Sequence, residues 1–143
     1  MKIIVCGAGE VGSNIAKQLV IEDNDVTIID ESEDLLRSIN QSLDVKSIYG
    51  KSSYPSILEK AGAEESDMLI AVSENDELNI LSCQIAENIF KVPIKIARIK
   101  ESNYLDKKWS NLFSKSGLSI DVLISPEMEV ARAISRKLNT PGA

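Results

Sequence analysis

Met1-Lys2-Ile3-Ile4-Val5-Cys6-Gly7-Ala8-Gly9-Glu10-Val11-Gly12 is the stretch whose reading decides the fold. Ile3 to Cys6 form a short apolar, β-branched run of the kind that makes a buried strand. Gly7, Gly9 and Gly12 then spell G-x-G-x-x-G, and Val11, Ile15 and Leu19 continue at helical spacing. A second apolar run, Val26-Thr27-Ile28-Ile29, ends at Asp30, eighteen positions beyond Gly12. Strand, glycine turn, helix and acid in this order form the full context of a dinucleotide-binding unit, which the glycine motif alone would not establish.

Each glycine has its own physical task. Gly7 permits a tight strand-to-helix turn, Gly9 lets a pyrophosphate approach the backbone, and Gly12 lets the helix pack close to the strand. Ala8, Glu10 and Val11 complete a loop whose free N–H groups lie at the positive end of the helix dipole, where phosphate is stabilised. Asp30 is placed to accept hydrogen bonds from ribose hydroxyls. Glu31 beside it, with no adjacent arginine, would repel a 2′-phosphate, so the pair favours NAD over NADP.

Outward from this unit, strand and helix signals alternate to the end of the chain. Strands are predicted near 2–6, 25–30, 44–49, 67–72, 94–99 and 120–124. Helices are predicted near 10–22, 32–42, 54–61, 75–91, 104–116 and 126–139. Ser32 before Glu33-Asp34 reads as an N-cap, Ser73-Glu74-Asn75-Asp76 as a capping box, and Ser125-Pro126-Glu127 as a start with proline in the first turn. Gly62 and Gly117 stand just past predicted helix ends. The alternation predicts a Rossmann fold of class α/β: a doubly wound, six-stranded parallel sheet of order 3-2-1-4-5-6 with helices on both faces.

Ligands of such sheets bind beyond the carboxyl ends of the strands, where the order switches between strands 1 and 4. That rule selects Gly7 to Gly12, Asp30 and Glu31, Gly50 to Ser53, and Ser73 to Asp76. Arg98, late in strand 5, projects toward the same crevice. An arginine in an apolar strand calls for an anion, which is either a ligand phosphate or a neighbouring carboxylate.

Composition narrows the function classes. The 143 residues suffice for one domain with a proper core. A net charge of −6 with no large basic cluster argues against nucleic acid. No apolar run approaches the roughly 20 residues of a membrane span, and the N-terminus lacks a signal-peptide layout, so a cytoplasmic location is expected. Cys6 and Cys83, both in apolar segments, read as buried free thiols. Gly50-Lys51-Ser52 imitates the end of a P-loop, but position 45 is valine where that loop needs glycine. Glu74, Asp76 and Glu77 read as first-turn acids, not metal ligands. Pro141-Gly142 reads as punctuation before a further domain. The last predicted helix carries a stripe of Val130, Ile134 and Leu138 that is expected to pack on a second copy of the chain.

Beyond the glycine motif, three further segments carry a family resemblance: residues 61–72 (Ala61-Gly62-Ala63-Glu64-Glu65-Ser66-Asp67-Met68-Leu69-Ile70-Ala71-Val72), Ile96-Ala97-Arg98-Ile99, and Ile120-Asp121-Val122-Leu123-Ile124-Ser125-Pro126-Glu127. With residues 1–12 they resemble the nucleotide-binding domain of the RCK/KTN family over essentially the whole chain. The resemblance implies a cytoplasmic regulatory subunit that is not an enzyme. It implies NAD(H) as ligand and, as in many members, ATP or ADP. It also implies dimers that build a tetramer or octamer ring beneath a potassium-transporting membrane subunit of Trk/Ktr type, whose gate responds to ligand occupancy.

Carried over by position, the resemblance places the phosphate loop at Gly7 to Val11 and the ribose acid at Asp30. It puts a site edge at Ser73-Glu74, a phosphate contact at Arg98, and ligand contacts at Ser52 and Ser53. Lys51 departs from the Asp, Asn or His frequent in the family and would favour a more negatively charged nucleotide. The family's C-terminal RCK domain is expected beyond Ala143.

The alternative is an NAD-dependent oxidoreductase domain without its substrate domain. The chain has no histidine to act as general acid or base, and Tyr104 with Lys107 or Lys108 is the remaining proton-transfer pair. A redox-sensing transcription regulator would need a DNA-binding module that these residues lack.

Overall fold

The structure, a computed structural model, describes residues 1–114 and 117–124. Six strands form one all-parallel sheet in the order β3-β2-β1-β4-β5-β6: β1 (Lys2–Cys6), β2 (Asp25–Asp30), β3 (Lys46–Tyr49), β4 (Met68–Ala71), β5 (Ile94–Arg98) and β6 (Val122–Ile124). Four α-helices connect them: α1 (Glu10–Ile21), α2 (Glu33–Ser42), α3 (Pro55–Lys60) and α4 (Asp76–Asn88). The expected topology is observed. β1 pairs with β2 on one side (Cys6 opposite Ile29) and with β4 on the other (Cys6 opposite Ala71), which makes the end of β1 the switch point.

Both faces of the sheet are covered, so the strands read as continuous apolar runs instead of alternating ones. On one face Ile3, Val5, Ile28 and Ile70 pack with Ile15 and Leu19 of α1 and Leu36 and Ile39 of α2. On the other, Ile4, Cys6, Ile29 and Leu69 pack with Leu58 of α3 and Cys83 and Ala86 of α4. Burial pushes the Cys6 thiol up to about 12 and raises that of Cys83 as well, so both stay protonated and inert at neutral pH.

Lys95 breaks the apolar run of β5, although its side chain is almost wholly buried. Its Nζ donates to the Val92 carbonyl at 2.7 Å and pairs with Glu87 at 2.9 Å and Asp121 at 3.4 Å. These partners offset the cost of removing the ammonium from water. Lys95 sits toward the amino end of β5, at the opposite edge of the sheet from the switch point.

The predicted helix at 104–116 is not formed as such. The chain makes two short 3-10 segments, Ser102–Leu105 and Lys107–Phe113. Asp106 between them is extended (φ −64°, ψ 133°), and its side chain accepts from the Lys108 N–H, which starts a new turn instead of continuing one. The Ser73–Asp76 stretch also differs in detail. The cap of α4 is Asn75, whose Oδ1 accepts from the Leu78 N–H at 3.0 Å, while the Ser73 hydroxyl donates to Asn79 Oδ1 at 2.7 Å. The predicted final helix, with Val130, Ile134 and Leu138, lies outside the described residues.

Candidate functional site

At the carboxyl edge of β1 the three motif glycines do different work. Gly7 sits at φ +120°, and a Cβ there would press on the backbone of Val72 and Ser73 at 3.1–3.2 Å. A Cβ at Gly12 would collide with the Gly7 carbonyl oxygen, so helix and turn are in backbone contact. At Gly9 a Cβ would meet nothing within 4 Å, so this glycine borders open space.

Gly9 is also the N-cap of α1 and supplies no side-chain cap. The first backbone bond of the helix runs from Ser13 N–H to the Gly9 carbonyl at 2.9 Å. The N–H groups of Glu10, Val11 and Gly12 are thus the open end of the helix, the arrangement that receives an anion. By contrast, α2 is capped by Ser32 and α4 by Asn75.

Asp30, the last residue of β2, faces this turn. Its Oδ2 accepts from the Ala8 N–H at 2.7 Å and its Oδ1 from the Ser32 N–H at 2.8 Å. The sequence reading did not anticipate this: the carboxylate fixes the glycine loop and the loop after β2 together. A carboxylate accepts about four hydrogen bonds, so roughly two positions remain for hydroxyl donors.

Asp30 lines a cleft of about 190 Å³ with Gly7, Glu31, Gly50, Ser52, Ser73, Glu74 and Leu78. Eight of the sequence-selected residues therefore converge there: Gly7, Asp30, Glu31, Gly50, Ser52, Ser73, Glu74 and Asn75. Ala8, Gly9 and Glu10 border an adjoining groove of about 410 Å³ between α1 and α2, which includes Ser13 and Lys17. Val11 and Gly12 are buried in the first turn of α1.

Ser53, Arg98 and Lys51 are not among the lining either. Ser53 is buried beside Ser52. Arg98, its side chain 11% exposed, is joined to the rim through Glu74, whose carboxylate lies 4.0 Å from its guanidinium and 3.6 Å from Lys100 Nζ. Lys51 turns its ammonium over the Tyr54 ring, 5.8 Å from the centroid.

The wall contributed by α4 went unnoticed in the sequence. Asn79, 1% exposed, uses its whole amide. Its Oδ1 accepts from Ser73 N–H at 2.9 Å and Ser73 Oγ–H at 2.7 Å, and its Nδ2 donates to the carbonyls of Ser73 and Arg98 at 3.0 and 2.8 Å. Asp76 is not poised for a metal. Its two oxygens accept from the N–H groups of Lys100 and Glu101 at 3.0 and 2.8 Å, which ties α4 to the end of β5. A signal existed: Asp76, Asn79 and Ser82 recur at intervals of three on the inner face of a helix, where apolar residues would be usual.

Tyr104 lines a third cleft, of about 770 Å³, together with Glu74 and Asn75. It therefore neighbours the cleft at Asp30, which Glu74 and Asn75 also line. No helix among the described residues is long and apolar enough to cross a membrane.

The TrkA-N domain family profile matches residues 3–126. The chain is 45% identical over 143 residues to the Trk system potassium uptake protein TrkA of Azorhizobium caulinodans, all of this chain against 31% of that protein. It thus spans less than a third of that relative's length. Among solved structures, the TrkA-N domain of inner membrane protein ybaL from Escherichia coli superposes with a TM-score of 0.74 at 19% identity over 96% of each chain. The GsuK channel bound to NAD gives 0.70 at 14% identity over 87% of this chain and 21% of that one. Its ADP-bound form gives 0.68 at 14% identity over 86% and 30%. At these identities the structures establish the fold.

Proposed function

The chain belongs to the TrkA-N domain family, and from that premise we propose that it is the nucleotide-sensing domain of a regulatory subunit in a potassium-uptake system. The observation that carries this reading is the open α1 terminus facing Asp30 across the switch point. A phosphate chain meets the N–H groups of Glu10 to Gly12, and the ribose that follows meets the free lone pairs of Asp30. Glu31 on the same rim disfavours a ribose 2′-phosphate. NAD(H) and ADP or ATP share the adenosine and phosphates that this cleft addresses, and the GsuK channel has been solved with NAD and with ADP.

The relatives named TrkA support a potassium-transporting membrane subunit as partner and the cytoplasmic side as location. Gating follows from linkage: a nucleotide that binds one arrangement of an assembled ring more tightly shifts the population toward it. The assembly itself, a homo-oligomer that starts from a dimer, belongs to this proposal. An oxidoreductase reading is disfavoured because the chain has no histidine and Tyr104 stands in a cleft lined by carboxylates.

Calorimetric titration of one preparation with NAD, NADH, ATP, ADP and NADPH tests the reading. Binding of NAD(H) or an adenine nucleotide, with NADPH weakest of the dinucleotides, is the expected result. Heat from none of the five overturns it. Potassium uptake by cells carrying Asp30→Ala in the full-length protein tests the transport role, with loss of nucleotide control expected.

A further inference from the structure

Ser52 lines the nucleotide-side cleft, and its hydroxyl is engaged by α4. Its Oγ lies 2.7 Å from Ser82 Oγ, on the inner face of α4. Ser82 is fully buried, and its own hydroxyl donates to the Leu78 carbonyl at 2.7 Å. A hydroxyl has one proton, and a carbonyl can only accept. The Ser82 proton is thus committed to Leu78, and the proton between the two serines is that of Ser52. The chain of donors runs one way: Ser52, Ser82, Leu78. Toward the cleft Ser52 retains a lone pair and no proton.

We propose that Ser82, which does not line the cleft, is a positioning residue that makes Ser52 an obligate acceptor and so sets which purine base the cleft prefers. The inference rests on the nucleotide reading above. With the phosphates at α1 and the ribose at Asp30, the base lies on the far side of the cleft, between Gly50, Ser52 and Leu78. An acceptor there favours the 6-amino group of adenine, a donor, over the 6-keto group of hypoxanthine, an acceptor. Removing the Ser82 oxygen frees the Ser52 proton, and the same hydroxyl can then turn to donate to a keto group.

The test is titration of wild type and variants with ADP and IDP. Wild type should bind ADP more tightly. Ser82→Ala should narrow the ADP-to-IDP ratio by roughly fivefold, the worth of one net hydrogen bond, mainly through tighter IDP binding. Ser52→Ala should narrow it by weakening ADP, and the double variant should match Ser52→Ala. Ser82→Thr, which keeps the hydroxyl, should retain the wild-type ratio. A merely structural role for Ser82 would weaken both nucleotides together and would not improve either. If Ser82→Ala does not melt cooperatively, Ser82→Cys, a poorer acceptor of similar size, carries the same expectation. An unchanged ratio in a folded Ser82 variant, or a narrowing that adds to that of Ser52→Ala, overturns the inference. So does a wild type that binds ADP and IDP equally, which leaves the nucleotide reading intact. A wild type that binds no nucleotide overturns both.

Discussion

Helices α1 and α4 both begin at the carboxyl edge of the sheet, after the two strands that flank the switch point, and their first turns are completed in opposite ways. At α4 the protein satisfies its own backbone. Asn75 caps the helix, Asp76 holds the N–H groups of Lys100 and Glu101, and Asn79 holds Ser73 and the Arg98 carbonyl. At α1 the cap is Gly9, with no side chain to offer, and the space beside it is open. One terminus is closed by side chains, while the other leaves its first N–H groups without a side-chain cap. The closed terminus supports the open one, because Ser73, which Asn79 fixes, is the backbone against which Gly7 is packed.

Four substitutions break or sharpen this contrast, in descending order of effect. Gly12→Ala places a methyl group against the Gly7 carbonyl, where backbone meets backbone and neither can yield. It should cost about 3 kcal/mol, the upper part of the overpacking range, and lower the midpoint of denaturant unfolding accordingly. Asn79→Leu fits the buried volume but strands the Ser73 N–H and withdraws a donor from Arg98. Chemical denaturation should show a loss of about 2–3 kcal/mol.

Asp30→Ala acts on the open side. NADH and ADP titrations should show affinity weakened by about 2 kcal/mol, both from lost ribose contacts and from release of the Ala8 N–H that orders the loop. Equal affinity in wild type and variant would remove Asp30 from the site. The smallest effect is expected for Asn75→Ala, which removes the cap of α4. Stability should fall by about 1 kcal/mol with ADP affinity nearly unchanged. A larger loss in affinity than in stability would mean that the closed terminus also touches ligand.

The legible parts of the molecule were those governed by local rules. Residues 2–6, 10–22 and 25–30 fell where the structure has β1, α1 and β2, because apolar periodicity and glycine placement act within a few neighbours. Ser32 was legible as a cap for the same reason. The 104–116 segment was misread because its apolar residues suggest a helix, whereas Asp106 bonds its own following backbone and divides the segment. Gly7, Asp30, Glu31, Gly50, Ser52, Ser73, Glu74 and Asn75 share one cleft because the topology sends every strand end to one edge. Asn79 and Ser82 were missed because their partners lie up to 30 positions away in the chain.

The sequence by itself determined the all-parallel sheet, its strand order and the edge on which the glycine turn lies. Those follow from hydrophobic runs, turn chemistry and the right-handedness of crossovers, which need no knowledge of distant contacts. Tertiary structure alone decided which polar groups are spent and which are available. Asp30 carries two backbone N–H groups, Asp76 is consumed by the β5 end, and Ser52 gives its proton to Ser82. A hydrogen bond is set by distances of about 3 Å between atoms that folding brings together from remote segments. Residue type shows what a side chain can donate or accept, and only the packed structure shows to whom.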